Sequence, residues 1–416
     1  MKNAKLLKSA TIIEPSSSFH LQSKDILIID GIIEKIEDSI AVESSFEVIE
    51  HENLHVSTGW MDMKANLREP GEEWKDTLAS GAKAAEFGGF TKVVVSPGTK
   101  QPIDSTNRVD YIINKSKDLA VEILPMGTLS HEHKGEELSE MYEMSEAGAI
   151  AFTDDKKEVN TGLMAKSLLY AKNINKLIIS FPNDTSLSKN GQMHEGETST
   201  KMGLKGIPSL SEELRVTRDI ALAEYNDSPI HFATISTQKS VELIRQAKEK
   251  GTKVTCDIAA HQLSFTDEAA KEYDSNYKVL PPFRKQTDID ALIEGLKDGT
   301  IDAICSDHTP HDIEDKRLEF DLAEFGVIGL ETTFASITTA TKGKLELNTV
   351  IEKLTTGPRT ILGLNSGGIK VGEKANVTLF NPDLAWTFEK SDIRSKSKNS
   401  PFIGTEFTGK ALGIIC

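Results

Sequence analysis

Residues 229–261, PIHFATISTQKSVELIRQAKEKGTKVTCDIAAH, decide the fold class. The stretch opens on one apolar run, PIHFATIST, and closes on another, KVTCDIAAH, each of strand length and bounded by polar residues. Between them, KSVELIRQAKEKG spaces Val241, Ile244 and Ala247 as one face of a helix and ends in Gly251, a residue suited to helix termination. Strand, helix, strand in that order is a βα unit of a parallel sheet. The texture recurs: KVVVSPGT (92–99), VEILPMGT (121–128), AIAFTDD (149–155), KLIISFPND (176–184) and IDAICSDHTPH (301–311) are further apolar runs. Amphipathic segments such as TLASGAKAAEFGG and IDALIEGLKDG separate them. Seven or eight such units over about 300 residues predict a (β/α)8 TIM barrel, placed at 59–365.

The flanks read differently. AKLLKSATIIEP, KDILIIDGIIEKIE and FEVIEHENLHVST in segment 1–58 alternate like antiparallel strands, with Gly31 at a tight turn. The tail from 366 to 416 returns to strand and turn character, and is expected to complete a small composite β-sandwich with the N-terminal strands.

Of 416 residues, 38% are hydrophobic and 27% charged, with a net charge of −16. That balance suits a globular chain and argues against nucleic acid and anionic membranes, which would repel it. No apolar run reaches the roughly 18 residues of a membrane helix, and the expected location is the cytoplasm. Cys256, Cys305 and Cys416 are widely spaced with no CxxC pair, so neither a disulfide framework nor a cysteine zinc site is expected.

In a barrel of this kind, chemistry collects where strands end. The polar residues there are Lys64, Asn66 and Arg68; Asp154 and Asp155; Asn183 and Asp184; Thr234; His261; and Asp307, His308 and His311. His131, His133 and His194 read as loop residues, Lys156-Lys157 as a solvated charge pair, and His231 as a structural histidine.

The blocks LREPGEEWKDTLASGAKAAEFGGFT (67–91), GLKGIPSLSEELRVTRDIALA (203–223), LPPFRKQTDIDALIEGLKDGTIDAICSDHTPH (280–311), FGVIGLETTF (325–334) and SKSKNSPFIGTEFTGK (395–410) resemble, in order, those of the dihydroorotase family of the amidohydrolase superfamily. The resemblance implies zinc in active members, held by a His-x-His pair, two further histidines, a carboxylate or modified lysine, and a last aspartate that moves the proton. By that resemblance the His-x-His pair falls on Lys64-Ala65-Asn66, the third histidine on Phe181 and the fourth on Thr234. The carboxylate falls on Asp154 (or its neighbour Asp155) and the last aspartate on Asp307. Of the substrate contacts, Arg68, His311 and the turn at Phe325-Gly326 remain, whereas two family asparagines fall on Gly98 and Leu280.

Asp154 and Asp307 are therefore the residual metal candidates, Asp307 the catalytic one if the chain is active, and Arg68, His311 and Gly326 the substrate-binding ones. No bound cofactor is expected. The leading expectation is a catalytically inactive dihydroorotase homologue of pyrimidine biosynthesis, a structural or regulatory partner of aspartate transcarbamoylase and a homo-oligomer. The alternatives are an active cyclic amidohydrolase, interconverting dihydroorotate and N-carbamoyl-aspartate at an atypical metal site, and a binding protein for small carboxylates.

Overall fold

A computed structural model describes residues 4–416, so the first three residues of the 1–58 segment lie outside the described residues. The quoted unit folds as read. The strand Ile230–Phe232 leads to the helix Gln238–Glu249, and Val254–Ala259 follows as a parallel strand, with Ile230 opposite Val254. Thr237 starts the helix, its side chain accepting the Ser240 amide. Ser240, Val241, Ile244 and Ala247 form the buried stripe.

Eight parallel strands form the central sheet in two arcs. Trp60–Ala65, Phe90–Val95 and Glu122–Pro125 make one; Ala151–Phe152, Leu177–Ser180, Ile230–Phe232, Val254–Ala259 and Ala303–Cys305 make the other. Parallel bridges Gly127↔Phe152 and Ala65↔His308 join the arcs at both seams, giving the expected barrel. The seam between first and last strands is reinforced by Asp62, whose carboxylate accepts the Ser306 amide at 2.6 Å and its hydroxyl at 2.7 Å. Every residue of Trp60–Ala65 is buried, as befits a parallel strand covered on both faces. Met61, Val94, Met126, Ile179 and Ala233 pack together in one apolar cluster and Met63, Ala259, Ala303 and Cys305 in another.

A second sheet of seven strands is assembled from both ends of the chain. Its order runs Glu406–Ile415, Val377–Thr387, His55–Thr58, Ala4–Ile12, Ser23–Ile29, Ile32–Glu37, with Phe46–Ile49 also on Ala4–Ile12. Asp30 and Gly31 both have positive φ, the geometry of a two-residue hairpin turn whose twist matches its strands. Cys256 and Cys305 are buried thiols, and Cys416 is exposed. Among the described residues no helix is long and apolar enough to cross a membrane.

Candidate functional site

The C-terminal ends of the barrel strands enclose a cavity of about 240 Å³. Its floor is the ammonium of Lys64, only 5% exposed, carried in by the first strand. Lys64 Nζ lies 3.3 Å from Asp307 Oδ1, 3.4 Å from Asp155 Oδ1 and 3.4 Å from Thr234 Oγ1, with the Phe181 ring centroid 4.6 Å away. Three of the four positions on which the resemblance places histidines, Lys64, Phe181 and Thr234, thus meet at one point. Burial pulls the Lys64 amine down, but Asp307 and then Asp155 outweigh it and hold it well above the ordinary lysine range. Asp307 is held below the usual carboxylate range: burial raises it, and Lys156 and Lys64 more than offset that.

Asn66, the other half of the substituted pair, turns its side chain to the loops. Its amide nitrogen donates to Gly98 O at 3.2 Å, and its oxygen accepts the Arg68 amide at 2.9 Å. The Arg68 guanidinium is occupied: Nε donates to Pro310 O at 2.8 Å, Nη2 lies 2.9 Å from His311 Nε2, and Nη1 is 3.5 Å from Glu72. His311 Nδ1 lies 3.0 Å from Asp315 Oδ2. With that nitrogen donating to the carboxylate, Nε2 accepts from Arg68, and the Phe325 carbonyl lies 3.1 Å from the same nitrogen. Burial and the neighbouring Arg68 push the His311 imidazole down to about 3. Gly326 has φ +136°, and a Cβ there would lie 2.4 Å from the Thr309 methyl. His261 is buried near Asp307, neither ring nitrogen hydrogen-bonded, and burial lowers it to about 4.

Several expectations need correction. Asp154 does not face the cavity: its carboxylate accepts the amides of Leu129 and Ser130, both at 2.9 Å, and the Ser130 hydroxyl. Asp155, whose backbone has φ +49°, lines the cavity in its place. Lys156 is not solvated but half-buried, its Nζ 3.4 Å from Asp307 Oδ2, and only Lys157 is exposed. His133 lines the cavity half-buried, its Nε2 2.7 Å from Asp154 O. His194 is buried, its Nδ1 3.2 Å from Arg284 Nη1. His231 is structural, as expected, its Nε2 2.9 Å from Asp257. Asn183 and Asp184 stand apart, Asp184 capping the short helix Thr185–Ser188. His308 is fully buried and accepts the Gly329 amide at 3.1 Å.

Arg68, Asp155, Thr234 and Asp307 all adopt left-handed φ, between 45° and 65°. Non-glycine residues in that region cost of order 1 kcal/mol each, so the mouth carries local backbone strain.

Its donors do not suit zinc. An ammonium stands between the carboxylates, a phenyl ring and a hydroxyl fill two further positions, and no imidazole faces Asp155 and Asp307 together. Among the described residues, no group of three or more His, Cys, Asp or Glu side chains is arranged to hold a metal ion.

A family model described as dihydro-orotase-like matches residues 55–240. The chain is 42% identical over 410 residues to a dihydroorotase of Citrifermentans bemidjiense, covering 98% of this chain and 96% of the relative. It is 42% identical over 408 residues to a dihydroorotase of Acetivibrio thermocellus, covering 97% and 95%. Among solved structures, the L-hydantoinase (dihydropyrimidinase) of Arthrobacter aurescens superposes with a TM-score of 0.84 at 23% identity, over 100% of this chain and 94% of that one. The dihydropyrimidinase of Brevibacillus agri gives 0.83 at 21%, over 100% and 93%. Those two likenesses concern the fold.

Proposed function

The chain belongs to the dihydroorotase family, and on that premise we propose that it is a member whose hydrolytic chemistry is lost and whose work is structural or regulatory. The proposed setting is pyrimidine biosynthesis, and the proposed companion is aspartate transcarbamoylase. One observation carries this reading: the Lys64 ammonium lies 3.3 Å from Asp307 and 3.4 Å from Asp155, where the family resemblance places a metal.

A zinc ion in active members polarises the ring amide and lowers the pKa of the attacking water. Lys64 supplies the charge that keeps two buried carboxylates together, but a cation without a lone pair on its ammonium ligates no metal. Asp307, tied to Lys64 and Lys156, is held ionised and engaged by two ammonium groups.

The active-hydrolase reading gains nothing from this geometry. The carboxylate-receptor reading is weakened by it, since Lys64 and Arg68, its proposed receptors, are engaged with protein groups. Metal analysis of the purified protein, joined to dihydroorotate turnover in both directions, tests the proposal. Zinc well below one per chain and no turnover are expected. Stoichiometric metal with turnover that Asp307→Ala abolishes would overturn it.

A further inference from the structure

Segment 312–326 forms one wall of the cavity, through Glu324 and Phe325. Two buried lysines hold its backbone. Lys278 Nζ donates to Phe320 O at 2.7 Å and Asp321 O at 3.2 Å, with the Phe325 ring centroid 4.7 Å away. Lys316 Nζ donates to Glu324 O at 2.8 Å and Gly326 O at 3.1 Å. The Gly326 amide donates to Lys278 O at 2.9 Å, and the Glu324 amide to Asp315 O at 3.1 Å. Phe320 and Ala323 are buried and favour this closed position.

Among the described residues neither lysine forms an ion pair; each amine reaches two carbonyls and no carboxylate. Glu324 and Asp321 face Lys278 at longer range. Asp274, Glu324 and Asp315 face Lys316, as does Lys278, and Asp315 is already held by Lys75 at 2.7 Å and by His311 at 3.0 Å. His311, pushed down to about 3, is neutral near pH 7. Tyr273 packs on the Phe320 ring and Tyr277 against the same apolar cluster; burial raises Tyr277, so it stays neutral there too.

An ammonium offers three donors and an uncharged amine two, and two is the number that each lysine uses. The third proton adds a charge in a poorly solvated place and no further carbonyl. Burial accordingly draws Lys278 down to about 8, and burial with the charge of Lys278 draws Lys316 down to about 7.

We propose that segment 312–326 is a proton-controlled strap beside the cavity: it lies closed while Lys278 and Lys316 are uncharged, and their protonation releases it so that both ammonium groups reach water. In the released segment each amine returns to the ordinary lysine value of 10.5, so release takes up protons and is favoured as the pH falls. Between 10.5 and its closed value each lysine changes the release equilibrium by up to about tenfold per pH unit. Below about 7 both are charged in either position, and the effect levels off. Release carries Glu324 and Phe325 away from the cavity wall. Access to the cavity is controlled in this way whether or not the hydrolytic chemistry is lost.

Hydrogen exchange of the full chain, corrected for the intrinsic rate at each pH, tests this. Protection of the amides in 318–326 should rise about tenfold or more from about pH 7 to about pH 9, with no such rise in the helix Gln238–Glu249. Lys278→Met/Lys316→Met should abolish the rise. Equal protection at the two pH values, or a rise that persists in the double variant, would overturn the strap. Carbon NMR titration of the lysine side chains in the wild-type chain needs no variant: two amines should titrate near 7 and 8. The absence of any lysine titrating below about 9 would overturn it equally.

Discussion

Lys64 and Asp307, from the first barrel strand and the end of the last, meet with Nζ 3.3 Å from Oδ1 across the seam of the barrel. The other oxygen of Asp307 lies 3.4 Å from Lys156 Nζ. One carboxylate is thus shared by two lysines, and Lys64 is shared in turn with Asp155. The cluster carries two positive and two negative charges, so it is neutral within itself. Removing any one member leaves a net charge in a poorly solvated place.

Lys64→Met should therefore destabilise the fold by about 3–5 kcal/mol, the range for an uncompensated buried charge. Adding Asp307→Asn to Lys64→Met should recover part of that loss, because the second change removes one of the stranded carboxylates. Urea unfolding of the two single variants and the double variant measures both effects. Additive losses would show that the two residues do not interact.

Zinc should not raise the thermal unfolding temperature, and a chelator should not lower it. A ligand that binds only the folded state stabilises in proportion to the logarithm of its concentration over Kd, so a resident metal would announce itself in both experiments. Differential scanning calorimetry with and without added zinc reads this directly.

Acid should weaken the protein from near pH 6.5 downward. Burial lowers His194 and His261 to about 4 and His311 to about 3, with Arg284 adding to the effect at His194 and Arg68 at His311. Above the ordinary imidazole value of 6.5 the rings are neutral in both states and the stability is fully present. As the pH falls toward the folded values, the unfolded chain takes up protons that the folded chain refuses, and stability is lost by up to about 3 kcal/mol per histidine. Asp62 acts in the opposite sense, since burial raises it to about 7, but it is one group against three. Urea midpoints between about pH 7 and pH 4.5 should fall, and His194→Asn should make the slope shallower.

Gly326→Ala should cost about 1–3 kcal/mol, since φ is +136° and the added methyl would stand 2.4 Å from the Thr309 side chain. Faster hydrogen exchange in 318–326 would accompany it, because Gly326 O receives Lys316 and Asn399. Unchanged exchange would mean that the loop is held elsewhere.

Much of the architecture was legible because burial imposes periodicity. The unit at 229–261 carries apolar runs on either side of a helical stripe, and these settle the local structure without long-range information. The barrel mouth was less legible. Adjacent aspartates at 154 and 155 are equivalent in a sequence, and alternation cannot tell which faces inward once Asp155 leaves the extended region at φ +49°. Lys156 looked like a surface lysine because its partner, Asp307, is 151 residues away. Lys278 and Lys316 were hidden for another reason: their partners are backbone carbonyls, which leave no mark in composition. By contrast, the convergence of Lys64, Phe181 and Thr234 follows from aligned strand ends, which a resemblance supplies and spacing does not.

The strand His55–Thr58 pairs with Val377–Phe380, residues made more than three hundred positions later. During translation the first five strands emerge from the ribosome with one margin open, and it stays open until nearly the whole chain has been made. An exposed strand edge is a template for unwanted pairing. A chain cut short before Val377 would keep that margin open, and production from truncated messages should favour aggregates over a usable barrel.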